Sequence, residues 1–144
     1  MTAHPLSLTS PASVAAVFRE LADIENFPRW AAEFCERIEL SADGNWRALT
    51  IQGDLHVELE ADARTGVIDL RLGDGARCMG LLPLRVLALP GGRTLVSAVL
   101  IPAPGLGDFA FARQVEVFET ALRGLLTRLE RAAAVPGTPC AVAV

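Results

Sequence analysis

Lysine and tyrosine are both absent from the chain, and its whole basic complement is 13 arginines set against 17 acidic residues, for a net charge of -4. The arginines are scattered along the chain, so no basic patch is concentrated anywhere and the usual electrostatic support for nucleic-acid binding is missing. Exclusive use of arginine reads as a coding bias and not as a clue to partners. Cysteine is also scarce. Cys35, Cys78 and Cys140 lie far apart without metal-ligand spacing, which predicts reduced thiols in a cytosolic protein. Long apolar runs are lacking too: the longest, at 80–84 and 95–101, are strand-sized, so no membrane insertion is expected. The first five residues lack a basic start followed by an apolar segment, so secretion is not signalled.

What remains is ample for a core. A chain of 144 residues is one domain by prior and buries about two-thirds of its unfolded surface, without needing metal or disulfides. The stretch that organises it is 108–132, where Phe111, Val115, Phe118, Leu122, Leu125 and Leu129 recur at steps of four and three and so share one stripe of an α-helix. Asp108 stands as the expected N-cap, acidic residues sit nearer the start, Arg123, Arg128 and Arg131 fall in the second half, and Pro136 stops the helix. At ~1.5–3 kcal/mol per buried large side chain, covering the stripe is worth roughly 10 kcal/mol or more. Gly124, beside the stripe, costs about 1 kcal/mol against alanine, which predicts a close approach there by a ligand, a strand or a neighbouring subunit.

Upstream, 4–9 is a short strand, and Ser10-Pro11 reads as N-cap and first position of a helix carrying Val14, Val17, Phe18 and Leu21. Asn26 caps a second short helix over 27–34, with Pro28 tolerated in its first turn. After Cys35 the period changes to two. Alternating segments at 37–41, 46–52, 55–61, 67–72, 77–89 and 93–101 are separated by Asp43-Gly44-Asn45, Gly53, Arg64-Thr65-Gly66, Gly73-Asp74-Gly75 and Pro90-Gly91-Gly92. Pro83 inside the fifth demands a bulge or an edge position. Short connections make neighbours of successive strands, so the pattern predicts an α+β fold: a seven-stranded antiparallel meander with two short helices after strand one, closed by the long helix on its apolar face. Residues 1–134 form this single domain, and the tail at 135–144 is expected to be disordered.

Ser10-Pro11-Ala12-Ser13-Val14-Ala15-Ala16-Val17-Phe18, followed by Leu21-Ala22-Asp23-Ile24-Glu25-Asn26-Phe27-Pro28-Arg29-Trp30, resembles the opening of the SRPBCC or START-like helix-grip superfamily. That superfamily takes in START lipid-transfer domains, birch-pollen-allergen-like proteins and bacterial polyketide cyclase/dehydrase-like proteins. The resemblance covers residues 4–133 and implies a curved sheet gripping the C-terminal helix, with a cavity between them for a small hydrophobic molecule. It implies no cofactor. Because the superfamily hosts carriers, receptors and enzymes alike, it leaves open whether the ligand is turned over.

The candidate ligand-binding residues are Trp30, Phe34, Trp46, Leu59, Leu70, Phe111, Val115, Phe118 and Leu122. For catalysis the candidates are few. The resemblance implies tyrosine, arginine, serine or histidine in the pocket, and tyrosine is missing. His56 shares a strand face with Asp54, Glu58 and Glu60, which favours a solvated face, because burying three carboxylates costs several kcal/mol each. A bulge near Gly53 would be needed to turn His56 inward as a general base. No metal site is expected, since alternating strand residues make a flat row and not a closed shell. Arg71 shares its face with Asp69 and reads as outward, while Arg77 and Arg85 are candidates for a clamp at the pocket mouth. Cys35 and Cys78 have no neighbour that marks a nucleophile.

The favoured reading is a bacterial, cytoplasmic domain that binds or transports a small hydrophobic ligand. The alternative is a polyketide cyclase/dehydratase-like enzyme in which His56 or Arg71 is the polar agent. A third is a filled-core module, for example a homodimer burying the outer helix face.

Overall fold

The computed structural model describes residues 2–32, 34–50, 53–74, 76 and 78–134; the predicted tail, Cys140, Arg77 and positions 51–52 lie outside the described residues. Alternation of apolar and polar residues yields seven strands, β1 His4–Ser10, β2 Arg37–Leu40, β3 Trp46–Thr50, β4 Gly53–Asp62, β5 Val67–Gly73, β6 Cys78–Ala88 and β7 Thr94–Leu100. They form one curved antiparallel sheet in the order β1, β7, β6, β5, β4, β3, β2. The helices are α1 Val14–Ala22, α2 Phe27–Trp30 and α3 Asp108–Ala134, with a 3-10 turn at Ile24–Asn26. No helix among the described residues is long and apolar enough to cross a membrane.

Register decides which residues meet. Leu6, Ala98, Leu84 and Ile68 are matched across four neighbouring strands, and all four are buried on the inner face. On the other face Glu58 lies opposite Arg71, and Arg71 pairs with Glu60 at 3.1 Å. Ion pairs this exposed contribute little, so they mark the solvent side more than they stabilise it. At the β2–β3 turn, hydrogen bonds from Asn45 hold the Asp43 carboxyl below its ordinary range.

Pro83 sits inside β6, which is an interior strand, yet the ladder to β7 begins only one residue later, at Leu84 opposite Ala98. Up to that point β6 pairs with β5 alone, while Val99 and Leu100 of β7 pair with β1 alone. Proline offers no N–H for a second ladder, so the expected edge position exists locally, and β6 and β7 part there. The register shift between β5 and β6 lies elsewhere, at Leu72 and Gly73 of β5, whose partners pass from Gly80 to Cys78.

Three boundary expectations are corrected. Ser10 does not cap α1: it is claimed by the β1–β7 ladder, and the cap is Ser13, whose hydroxyl accepts from the Ala16 N–H at 3.2 Å. Asn26 makes no side-chain cap for α2, because its amide donates to the Glu20 carbonyl and accepts from Arg29; α2 itself stops at Trp30. Asp108 is the first residue of α3, one position inside its expected cap.

Freed from capping, Ser10 is fully buried, and its hydroxyl donates to Glu130 Oε1 at 2.7 Å while accepting from the Ala12 N–H at 3.1 Å. It thereby ties the sheet edge to the far end of α3. Ser10→Ala should lower the unfolding free energy by ~1–3 kcal/mol, since it strands a buried donor and an acceptor. Urea titration checks this, and a change below ~0.5 kcal/mol would remove the latch.

The grip of sheet on helix is uneven. Leu122, Leu125 and Leu126 are buried, as is Phe118, but toward the start of α3 Val115 and Phe111 are only half-buried and Phe109 is 88% exposed. From Phe118 to Leu126 the inner stripe of α3 is buried, and before it Phe111 and Val115 pack only in part. Gly124 is not crowded: a Cβ added there meets nothing within 4 Å, so no close approach among the described residues accounts for it.

Candidate functional site

Where α3 is loosely held and β6 parts from β7, the molecule has a half-open cavity of about 180 Å³. Phe27, Ala31 and Phe34, from α2 and the turn after it, form one wall. Leu55, Leu72, Gly80 and Leu82 supply the sheet, and Phe111, Gln114 and Phe118 supply the helix. Residues on both sides of the β6–β7 gap reach it, with Leu81 and Ile101 37% and 44% exposed at the rim.

The wall is built by side-chain size and parity. Phe118 stands edge-on to Trp30 (ring centroids 5.9 Å apart) and to Phe34 (6.1 Å), so three aromatics brace the helix against the α2 segment. Gly80 lies opposite Leu72 on the inner face, at a place where a side chain would fit. A Cβ added there has only Leu72 Cδ1 within 4 Å, at 4.0 Å, and the backbone is not in the left-handed region. The missing side chain leaves part of the hollow.

No charged or titratable side chain belongs to the described lining. Thr50 and Gln114 are its polar members, and the Thr50 hydroxyl already donates to the Gly53 carbonyl at 2.9 Å. Cys35 is buried nearby in sequence, its thiol pointing to the Arg37 carbonyl at 3.4 Å, and burial pushes that thiol up from its ordinary value. A raised thiol is a poor nucleophile at neutral pH.

Of the predicted ligand-binding residues, Phe34, Phe111 and Phe118 line this cavity. Leu70 and Leu122 are buried in the packed core, Leu59 and Trp46 pack against it, and Trp30 braces Phe118 from behind. Val115 lines a separate surface groove beside His4 and Leu106. His56 and Arg71 are not brought to the cavity. No bulge turns His56 inward, for β4 runs in regular register with β3, and the His56 ring meets Arg47 Nη1 at 3.4 Å. Asp54 is taken by Arg47 and Glu60 by Arg71. Arg85 donates to the Thr65 carbonyl at 3.1 Å, far along β6 from the rim. The other lining residues were not anticipated, Phe27, Leu55, Leu72, Gly80 and Gln114 among them. One signal in the sequence bears on the place, Pro83, beside which β6 and β7 part.

No family model and no curated protein matches the sequence. Solved structures match in fold. Zhui aromatase/cyclase from Streptomyces sp. R1128 superposes with a TM-score of 0.70 at 18% identity, over 94% of this chain and 98% of that one. A START superfamily protein from Mycobacterium smegmatis gives 0.60 at 19% identity, over 88% and 98%. Ara h 8.0201 gives 0.54 at 16% identity, over 88% and 98%. The chain therefore has the helix-grip fold of SRPBCC and START-like proteins, a fold shared by ligand carriers and by enzymes.

Proposed function

We propose that the protein binds or carries a small hydrophobic ligand, in the cytosol, in the cavity between its sheet and α3. The observation that carries this reading is the composition of the walls: apolar side chains from four strands and two helices converge, with no charged group among the described lining residues. Glycine in a strand interior weakens the strand, and at Gly80 that cost leaves room for a guest.

The alternative, a cyclase/dehydratase-like enzyme, draws support from the fold shared with Zhui aromatase/cyclase. Such chemistry asks for a carbonyl donor and a group that moves a proton. Gln114 supplies the first, and no described lining residue supplies the second, so binding is the better supported reading.

Gly80→Leu tests it by filling the hollow. Native mass spectrometry of gently purified protein, and titration with small apolar probes such as indane, should show retention or binding by the unaltered chain. In Gly80→Leu binding should fall at least about tenfold while the protein stays folded, because the new Cβ has only Leu72 Cδ1 within 4 Å, at 4.0 Å, and the rest of the side chain occupies the hollow. Unchanged affinity in a folded Gly80→Leu protein would mean that the cavity is not the site.

A further inference from the structure

Gln114 is out of place. It lies three residues after Phe111 and four before Phe118, on the helix face whose neighbours are aromatic and line the same cavity. The residue is half-buried, its amide keeps access to solvent, and no protein group among the described residues hydrogen-bonds it. A primary amide carries two N–H donors and an acceptor oxygen, all of them open to a guest that displaces water from the apolar walls around it. The other polar wall group, Thr50, is engaged with the Gly53 carbonyl. The free hydrogen-bonding capacity of the described lining is therefore concentrated at one amide.

Size and charge narrow the guest further. A cavity of about 180 Å³ is of the order of the ~150 Å³ engineered void that holds benzene, and below the ~300–1,000 Å³ of pockets for drug-sized molecules. A long acyl chain or a multi-ring polyketide exceeds it and would have to leave much of its length outside the mouth, in water. An anionic head group would be left without a cation among the described walls, and burying an unpaired charge is prohibitive.

We infer that, if the cavity holds a guest as proposed above, the guest is a neutral one- or two-ring or short-chain molecule with a single carbonyl or hydroxyl oxygen, and that the Gln114 amide grips that oxygen. Gln114 is thus the specificity-determining residue of the site, selecting a ketone, aldehyde, alcohol or phenol over a plain hydrocarbon and over a carboxylate. A carbonyl guest receives an N–H of the amide; a hydroxyl guest donates to its oxygen as well.

Isothermal titration of the full chain with 1-indanone, indane, indane-1-carboxylate and palmitate tests this. The unaltered protein should prefer 1-indanone to indane by about tenfold, a hydrogen bond's worth of affinity, and should disfavour both carboxylates by more. Gln114→Leu should erase the preference, bringing the ketone and the hydrocarbon within about threefold while indane affinity holds or improves. Gln114→Met, closer in shape, should do the same and guards against a repacked helix. Equal affinity for indanone and indane in the unaltered protein, or a preference that survives both variants, overturns the role of Gln114 and leaves apolar binding standing. Palmitate as the tightest ligand overturns the size and charge limits. Failure of all four compounds, with nothing retained on purification, overturns the binding reading itself and this inference with it.

Discussion

Phe118→Ala should lower the unfolding free energy by ~3–5 kcal/mol, the range for truncating a large buried aromatic. Phe118 is 2% exposed, stands edge-on to Trp30 and Phe34, and is the point at which α3 passes from packed core to cavity wall. Removing the ring deletes apolar burial, two aromatic contacts and the partition between the cavity and the Trp30 indole. The space cannot collapse easily, because Leu122 one turn on is fully buried and Leu70 across the sheet is 1% exposed. Denaturant unfolding gives the first readout. The second is binding: the enlarged hollow should admit bulkier apolar guests than the unaltered protein does. A loss under ~1 kcal/mol would mean that the sheet does not grip the helix at Phe118, and the helix-grip account of this chain would fail.

That grip was legible in the sequence because it rests on periodicity. Phe118 and Leu122 fall on one helical stripe, and Leu55 and Val57 on one strand parity, so their common burial follows from geometry alone. The turns were legible through glycine and aspartate. The cavity was far less so. Leu59 and Leu70 do face inward, but facing inward and lining a hollow are different things: the hollow exists where the layers separate, and separation depends on which strands stay paired. The clue to that was Pro83, taken only as a local irregularity. Gln114 was passed over because steps of four and three from Phe111 run through Val115, although a step of three also lands on the inner face. Gly80 was absorbed into an apolar run. His56 and Arg71 drew notice for their chemistry, yet the ladder that sets them beside Arg47 and Glu60 faces outward. Ser10 was the expected cap by local preference, and the β1–β7 ladder takes it out of that role and leaves the cap to Ser13.

Gly66→Ala should rank among the most damaging single changes outside the core, costing roughly 3 kcal/mol or more. Gly66 has φ +76°, and a Cβ built on it falls 2.0 Å from the Val86 carbonyl oxygen and 3.1 Å from its carbon. The obstacle is backbone of a central strand, which cannot rotate away as a side-chain tip can. Gly66 also donates to the Asp62 carbonyl at 2.8 Å and accepts from the Val86 N–H at 2.9 Å, so relieving the clash means breaking the bond that pins the β4–β5 turn onto β6. Gly44 provides the control. Its φ is +86°, but nothing lies within 4 Å of an added Cβ, so Gly44→Ala should cost only the left-handed backbone term of ~1–2 kcal/mol. Asparagine, which tolerates that backbone region, should recover much of the loss at Gly44 and none of it at Gly66. Chemical denaturation of the four variants separates conformational strain from steric exclusion; equal costs at the two sites would show that the turn does not rest against β6, and the register of the central strands would then need another source.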